Sequence, residues 1–245
     1  MSIFRTTDIP CPSCQTPVSF ELVHSVNAGR RPDLRAAILD RSFQKQKCPS
    51  CGFAFRVEPE FSYMDLGRGQ FMAVWPSAKV AEWQEHETRG QQAFDTAFGS
   101  TAPPEAKDIG KKLSPRTVFG WAGLNEKLIA AEAGIDDHTL ELAKIGIIRN
   151  LDEAPIGGDS ELRLLGVEGE SLVLGWLPVG SADLTEVLRV PKAVLAEIDS
   201  TPEAWQPLRD DLNAGAFVDY RRLLLGAPPA APAPAPAKAK PARKR

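Results

Sequence analysis

The chain spells Cys-Pro-Ser-Cys twice, at residues 11–14 and 48–51, and these two tetrapeptides contain all four of its cysteines. Two cysteines separated by two residues let both sulfurs face into one small turn. A second such turn alongside completes a tetrahedral site with sulfur-to-metal distances of about 2.3 Å. Cys11, Cys14, Cys48 and Cys51 then form the whole ligand set, and the 33 residues between Cys14 and Cys48 must fold so as to bring the two turns together.

Four thiolates fill a tetrahedral site and leave no position for water or substrate, so the expected role is structural. Metal binding of this kind contributes on the order of 10 kcal/mol to folding. Zinc, one per chain, is the expected ion. Iron in a rubredoxin-type site is the runner-up, because paired knuckles of this form also suit one-electron transfer. Gln15, standing where a rubredoxin knuckle has glycine, and the lack of aromatics crowded around both turns favour zinc. A redox dithiol needs one active pair at the start of a helix after a strand, whereas both pairs here precede strand-like segments. Loss of Cys48 and Cys51 is expected to unfold at least residues 8–76.

Hydrophobic periodicity organises the rest. Val18, Phe20 and Leu22 alternate with polar residues, as do Phe53, Phe55 and Val57, and both runs read as half-buried strands. Between them, residues 32–43 read as a short helix with proline in its first turn. Residues 63–66 and 71–75 flank a Gly-Arg-Gly-Gln loop and predict a hairpin. A helix is expected over 78–98, capped by Ser77, weakened by Gly90, with His86 off its apolar stripe and solvated. Residues 99–114 read as a linker, and Ser114-Pro115 as the cap and first turn of a helix reaching 133. Asp136 caps a helix over 137–151 that is apolar around much of its circumference, a feature of a core helix or of one shared with another chain. Leu162, Leu164 and Val167 pair with Leu172, Leu174 and Trp176 across Glu168-Gly169-Glu170, Glu186 to Val190 adds a strand, and helices follow over 191–199 and 202–213, the second capped by Thr201. Residues 216–225 return to the core.

The fold class expected is α+β: a small antiparallel zinc-ribbon-like sheet with an inserted helix, further helices, and a second hairpin-plus-helices region. The expected domain bounds are 8–152 and 160–225, followed by an Ala/Pro/Lys-rich disordered tail over 226–245. That tail carries five of the 29 basic side chains and no acid, leaving 24 basic against 32 acidic residues, a net of −8, in the preceding 225. An acidic body is a poor general binder of nucleic acid, so only the tail offers weak contact with RNA or DNA. No stretch nears the length of a membrane span and no signal peptide opens the chain, so the expected setting is cytoplasmic. Four cysteines in close pairs in a reducing compartment point to metal before disulfide.

No catalytic constellation emerges, and a non-enzymatic protein is expected. His24, His86 and His138 do not assemble a site, and helix capping accounts for Asp136 and Asp137 beside His138. The Gly-rich stretch 166–175 lacks the lysine and the setting of a phosphate loop.

The two knuckles, the segment PDLRAAILDRSFQKQKCPSCGFAF (32–55) and the stretch GLNEKLIAAEAGIDDHTLELAKIGIIRNL (123–151) together resemble the bacterial CpXC domain family. The resemblance spans about residues 8–150 and implies a metal role for the four cysteines. Where the family pattern has a Leu-Tyr-His-Asp-like segment after the second knuckle, this chain has Phe61-Ser62-Tyr63-Met64-Asp65, without the histidine. The function expected is that of a zinc-binding scaffold or interaction protein, its partner another protein or a second copy of itself. The alternatives are a zinc-ribbon nucleic-acid binder and a rubredoxin-like electron carrier.

Overall fold

The computed structural model describes residues 1–151, 153 and 159–226, so the expected tail lies, beyond Gly226, outside the described residues. Five strands form the main sheet: β1 (Ile3–Pro10), β2 (Pro17–Asn27), β5 (Phe61–Asp65), β6 (Gln70–Trp75) and β7 (Ser114–Phe119), in the order β1-β2-β5-β6-β7. A separate two-stranded ribbon, β3 (Lys45–Lys47) with β4 (Ala54–Arg56), stands beside it. The fold is therefore α+β, but its main sheet is larger than expected and mixed. The β2–β5 and β6–β7 pairs are parallel and the β1–β2 and β5–β6 pairs antiparallel.

Residues 71–75 (FMAVW) are all buried because β6 has protein on both faces. Met72 and Val74 pack with Leu34 and Ile38 of α1 (Pro32–Leu39) and with Trp121, Leu124 and Leu128 of α4 (Gly120–Glu132). On the opposite face, Ala73 and Trp75 pack with Trp83 of α2 (Trp83–Phe98) and with Phe217. That alternation follows from the period-two geometry of a strand. Gly90 of α2 sits where a Cβ would lie 2.9 Å from the Ala73 Cβ, so its lack of a side chain lets the helix approach the sheet.

Three segments depart from the sequence reading. Residues 114–119 form the parallel edge strand β7 and no helix. Pro115 is tolerated because an edge strand needs no ladder donor there, and the run Arg116-Thr117-Val118-Phe119 has strand character. The expected linker contains α3 (Pro104–Gly110), which packs on Phe98. Ser77 opens a 3-10 turn, Ser77–Glu82, and makes no capping bond; its hydroxyl donates to Glu58 Oε2 at 2.6 Å. That turn puts Val80 out of phase with α2, so a stripe drawn from Val80 misplaces the helix. His86 is therefore buried, not solvated, with its ring centroid 4.5 Å from that of Trp75.

The later part follows the expected order. β8 (Ser160–Glu168), β9 (Ser171–Pro178) and β10 (Glu186–Pro191) make an antiparallel sheet, and α6 (Ala193–Ser200) and α7 (Pro202–Asn213) follow. Thr201 makes no capping bond. Helix α5 (Asp137–Arg149) is spent inside the chain, with Leu140, Leu142 and Ala143 fully buried between this sheet and α6–α7. Residues 216–220 return as expected: Phe217 packs against Trp83 and Phe119, and a last helix, α8 (Arg221–Leu225), closes the described chain.

Candidate metal centre

Each Cys-Pro-Ser-Cys forms the turn of an antiparallel hairpin. Cys11 and Cys14 join β1 to β2, and Cys48 and Cys51 join β3 to β4. The two turns share one backbone pattern. Cys11 N–H donates to Thr16 O and Gln15 N–H to Cys11 O, both at 2.9 Å. In the second turn Cys48 N–H donates to Phe53 O at 2.8 Å and Gly52 N–H to Cys48 O at 2.9 Å. Gln15 and Gly52 occupy the same left-handed position, at φ 59° and 76°. Gln15 thus takes the conformation for which glycine is usual, and its identity does not distinguish the two turns in shape.

The turns face each other. Cys11 Sγ lies 3.7 Å from Cys51 Sγ, Cys14 Sγ lies 3.7 Å from Cys48 Sγ, and all four sulfurs fall within 4.8 Å of one another. Sulfurs about 2.3 Å from a common metal stand about 3.8 Å apart at tetrahedral angles, so the donor set fits a metal ion. Cys11 and Cys48 are buried beneath Val18, Phe20 and Phe55, whereas Cys14 and Cys51 face outward. Four thiolates this close repel one another without a cation. The hydroxyl and then the amide of Thr16 hold Cys14 down to about 6. Cys51 receives the Phe53 amide, which lowers its pKa, yet proton sharing with Cys14 pushes the thiol up to about 11.

Asp136 caps α5 as expected, its Oδ1 accepting the Thr139 amide at 2.9 Å. Asp137, His138 and Asp136 also bring three donor atoms together. Asp137 is already held by Arg116 at 2.7 Å and by Lys127 at 3.3 Å, so this trio is an ion-paired helix start. His24 lies exposed in β2, apart from both groups.

A buried charge network was not foreseen. Glu126 and Lys127 of α4 and Glu141 and Lys144 of α5 meet Glu161 and Arg163 of β8 and Asp219 and Arg221 near the C-terminal helix. Arg163 Nη1 reaches Glu126 Oε1 at 2.7 Å and Asp219 Oδ2 at 2.8 Å, and its Nη2 reaches Glu161 Oε2 at 2.7 Å. Burial opposes ionisation of Glu126, but Lys144 and Arg163 overcome it and hold its carboxyl below the ordinary range. Burial instead pushes the Glu141 carboxyl up. The sequence signal was the placing of Glu126, Glu141 and Lys144 among leucines and alanines on helices that have little polar face.

No helix among the described residues is long and apolar enough to cross a membrane. No curated protein and no solved structure matches the chain. The family model of the CpXC protein matches residues 9–144, which takes in all four cysteines and ends at Lys144 of the buried network. The chain belongs to the CpXC family.

Proposed function

We propose that the protein is a non-enzymatic scaffold whose four cysteines hold one structural zinc ion. The observation that carries this reading is the set of four sulfurs within 4.8 Å of one another, two of the pairs at 3.7 Å, across two matched hairpin turns. Zinc accepts four thiolates in this geometry, and a site with four protein ligands has no open position for substrate. Its role is to staple the short β3–β4 ribbon to the β1–β2 hairpin. A reducing compartment such as the cytoplasm suits the thiolates. A partner surface lies elsewhere than on α5, whose apolar sides are already covered within the chain.

Native and elemental mass spectrometry of the full chain, purified without added metal, tests the proposal. One zinc per chain in a colourless sample supports it. One iron per chain, with a reddish colour and a reversible redox couple, replaces it with electron transfer. A chain that binds neither metal removes the reading altogether.

A further inference from the structure

A cleft of about 540 Å³ opens between the hairpin of the second knuckle and the C-terminal sheet. Phe53 and Arg56 form one wall, Trp121 and Asn125 of α4 the floor, Leu165 of β8 the far wall, and Ala182 part of the rim. The volume falls within the range of small-ligand sites, about 300–1,000 Å³.

Each acid lining the cleft has a hydrogen-bond partner, but among the described residues only Glu161 is ion-paired. Glu58 accepts from the Ser77 amide at 2.8 Å and the Ser77 hydroxyl at 2.6 Å. Glu161 is held by Arg163 and Arg221, and the Ser181 hydroxyl donates to Asp183. Arg56 differs. Its Nε donates to Phe43 O at 2.8 Å and its guanidinium lies 4.2 Å from the Trp121 ring centroid, but Nη2 is buried without a hydrogen-bond partner among the described residues. Burial draws its pKa down to about 10, so it keeps its charge at neutral pH. Arg41 adds a second cation at the exposed edge of the cleft. On the floor, Asn125 is 9% exposed, and its Oδ1 is buried with no hydrogen-bond partner among the described residues.

Buried polar groups are nearly always paired, and leaving one unpaired costs about 1–3 kcal/mol. Here an unpaired guanidinium nitrogen and an unpaired amide oxygen belong to two residues lining one cleft of mixed polar and apolar walls. We propose that this cleft binds a small organic carboxylate: a monoanion for Arg56, an N–H or O–H donor for Asn125, and an apolar body against Trp121, Phe53 and Leu165. Arg56 and, at the edge, Arg41 stand against the carboxylates of Glu58 and Asp183 on the same lining, a balance that suits a monoanion better than a phosphate monoester, which carries nearly two charges. The proposal goes beyond the metal site and does not depend on which ion that site holds.

The probe for the test is 8-anilinonaphthalene-1-sulfonate, a monoanion with an aromatic body and an N–H, titrated into the full metal-loaded chain. One saturable site with enhanced fluorescence is expected, displaced by naphthalene-2-carboxylate and less well by phenyl phosphate. R56Q should weaken binding about tenfold, equivalent to about 1.4 kcal/mol. A182W should fill the rim and weaken it at least as much, and because Ala182 is exposed this variant remains decisive if R56Q fails to fold. Equal displacement by phenyl phosphate would overturn the carboxylate assignment. Absent, unsaturable or A182W-indifferent binding would overturn the site itself.

Discussion

The Lys144 ammonium lies 2.9 and 3.0 Å from the two carboxylate oxygens of Glu126, and neither side chain is reached by solvent. Glu126 and Lys144 fall within residues 9–144, which the family model matches, while Arg163 and Asp219, which complete the network, lie beyond them. The network thus ties the C-terminal sheet to the family's helices through charge, in addition to the apolar packing of α5. Removing one member of a buried, paired set leaves its partners uncompensated, at a cost of about 3–5 kcal/mol. K144M should therefore lower unfolding free energy by about that amount in urea titration. E141Q should cost less than E126Q, because Glu141 is the carboxyl that burial already pushes up. A K144M loss under about 1 kcal/mol would mean that water reaches the network.

The two knuckles share a backbone conformation but carry different residues at its left-handed position. Gln15 and Gly52 both adopt φ > 0, which costs a side-chain-bearing residue about 1–2 kcal/mol and glycine almost nothing. Q15G should raise the stability of the metal-loaded protein by about 0.5–1 kcal/mol, the gain being reduced by the freer unfolded chain. G52A should lower it by about 1 kcal/mol. Thermal melts of both variants check the pair, and opposite signs are the expected result.

Much of this architecture was legible in the sequence because its signals were local. Both knuckles, the β5–β6 and β8–β9 hairpins, and the Asp136 cap are written in a few adjacent residues each. What escaped depended on distant partners. β1 carries almost no apolar alternation, since most of its side chains are exposed, and only pairing with β2 reveals it. β7 has a start that looks helical, and its place beside β6 makes it a strand. The buried ions of α4 and α5 have the composition of surface residues until Arg163 and Asp219 arrive from beyond residue 160. The cleft is likewise assembled from six separate chain segments, so no motif announces it.

The start of α5 should respond to pH with opposite signs, through the depressed carboxyls of Asp136 and Asp137 and the raised imidazole of His138. Contact with His138, against burial, holds the Asp136 carboxyl down to about 2. Asp136 first, and then Asp137, raise the pKa of His138. A depressed carboxyl contributes stability that is complete above its unfolded pKa near 4 and is lost as pH falls toward 2. A raised imidazole contributes stability that is complete below its unfolded pKa of about 6.5 and is lost as pH rises through the folded value. The helix start is therefore firmest between about pH 4 and 6.5. H138Q should lower the melting temperature at pH 5.5 and leave it nearly unchanged at pH 9. An equal loss at both would assign His138 a packing role only.

Removal of the metal should affect the two knuckle hairpins more than the sheet behind them. The β3–β4 ribbon has three residue pairs, too few to persist alone, and is tethered mainly by the sulfurs, by Arg56 to Phe43 O, and by Phe55 against Phe20. β5, β6 and β7 instead hold Tyr63, Met72, Val74 and Val118 in a core with α1 and α4 that contains no cysteine. Sequence reasoning expected residues 8–76 to unfold together; the division of the core predicts a narrower loss. Chelation, or the C48S/C51S double variant, should abolish amide-exchange protection over 45–56 and weaken it over 8–19, while 61–75 and 114–119 stay protected. Hydrogen-exchange mass spectrometry resolves these segments directly. Loss of protection across all of them would mean that the ion holds the main sheet as well, and the two hairpins would then be its folding centre.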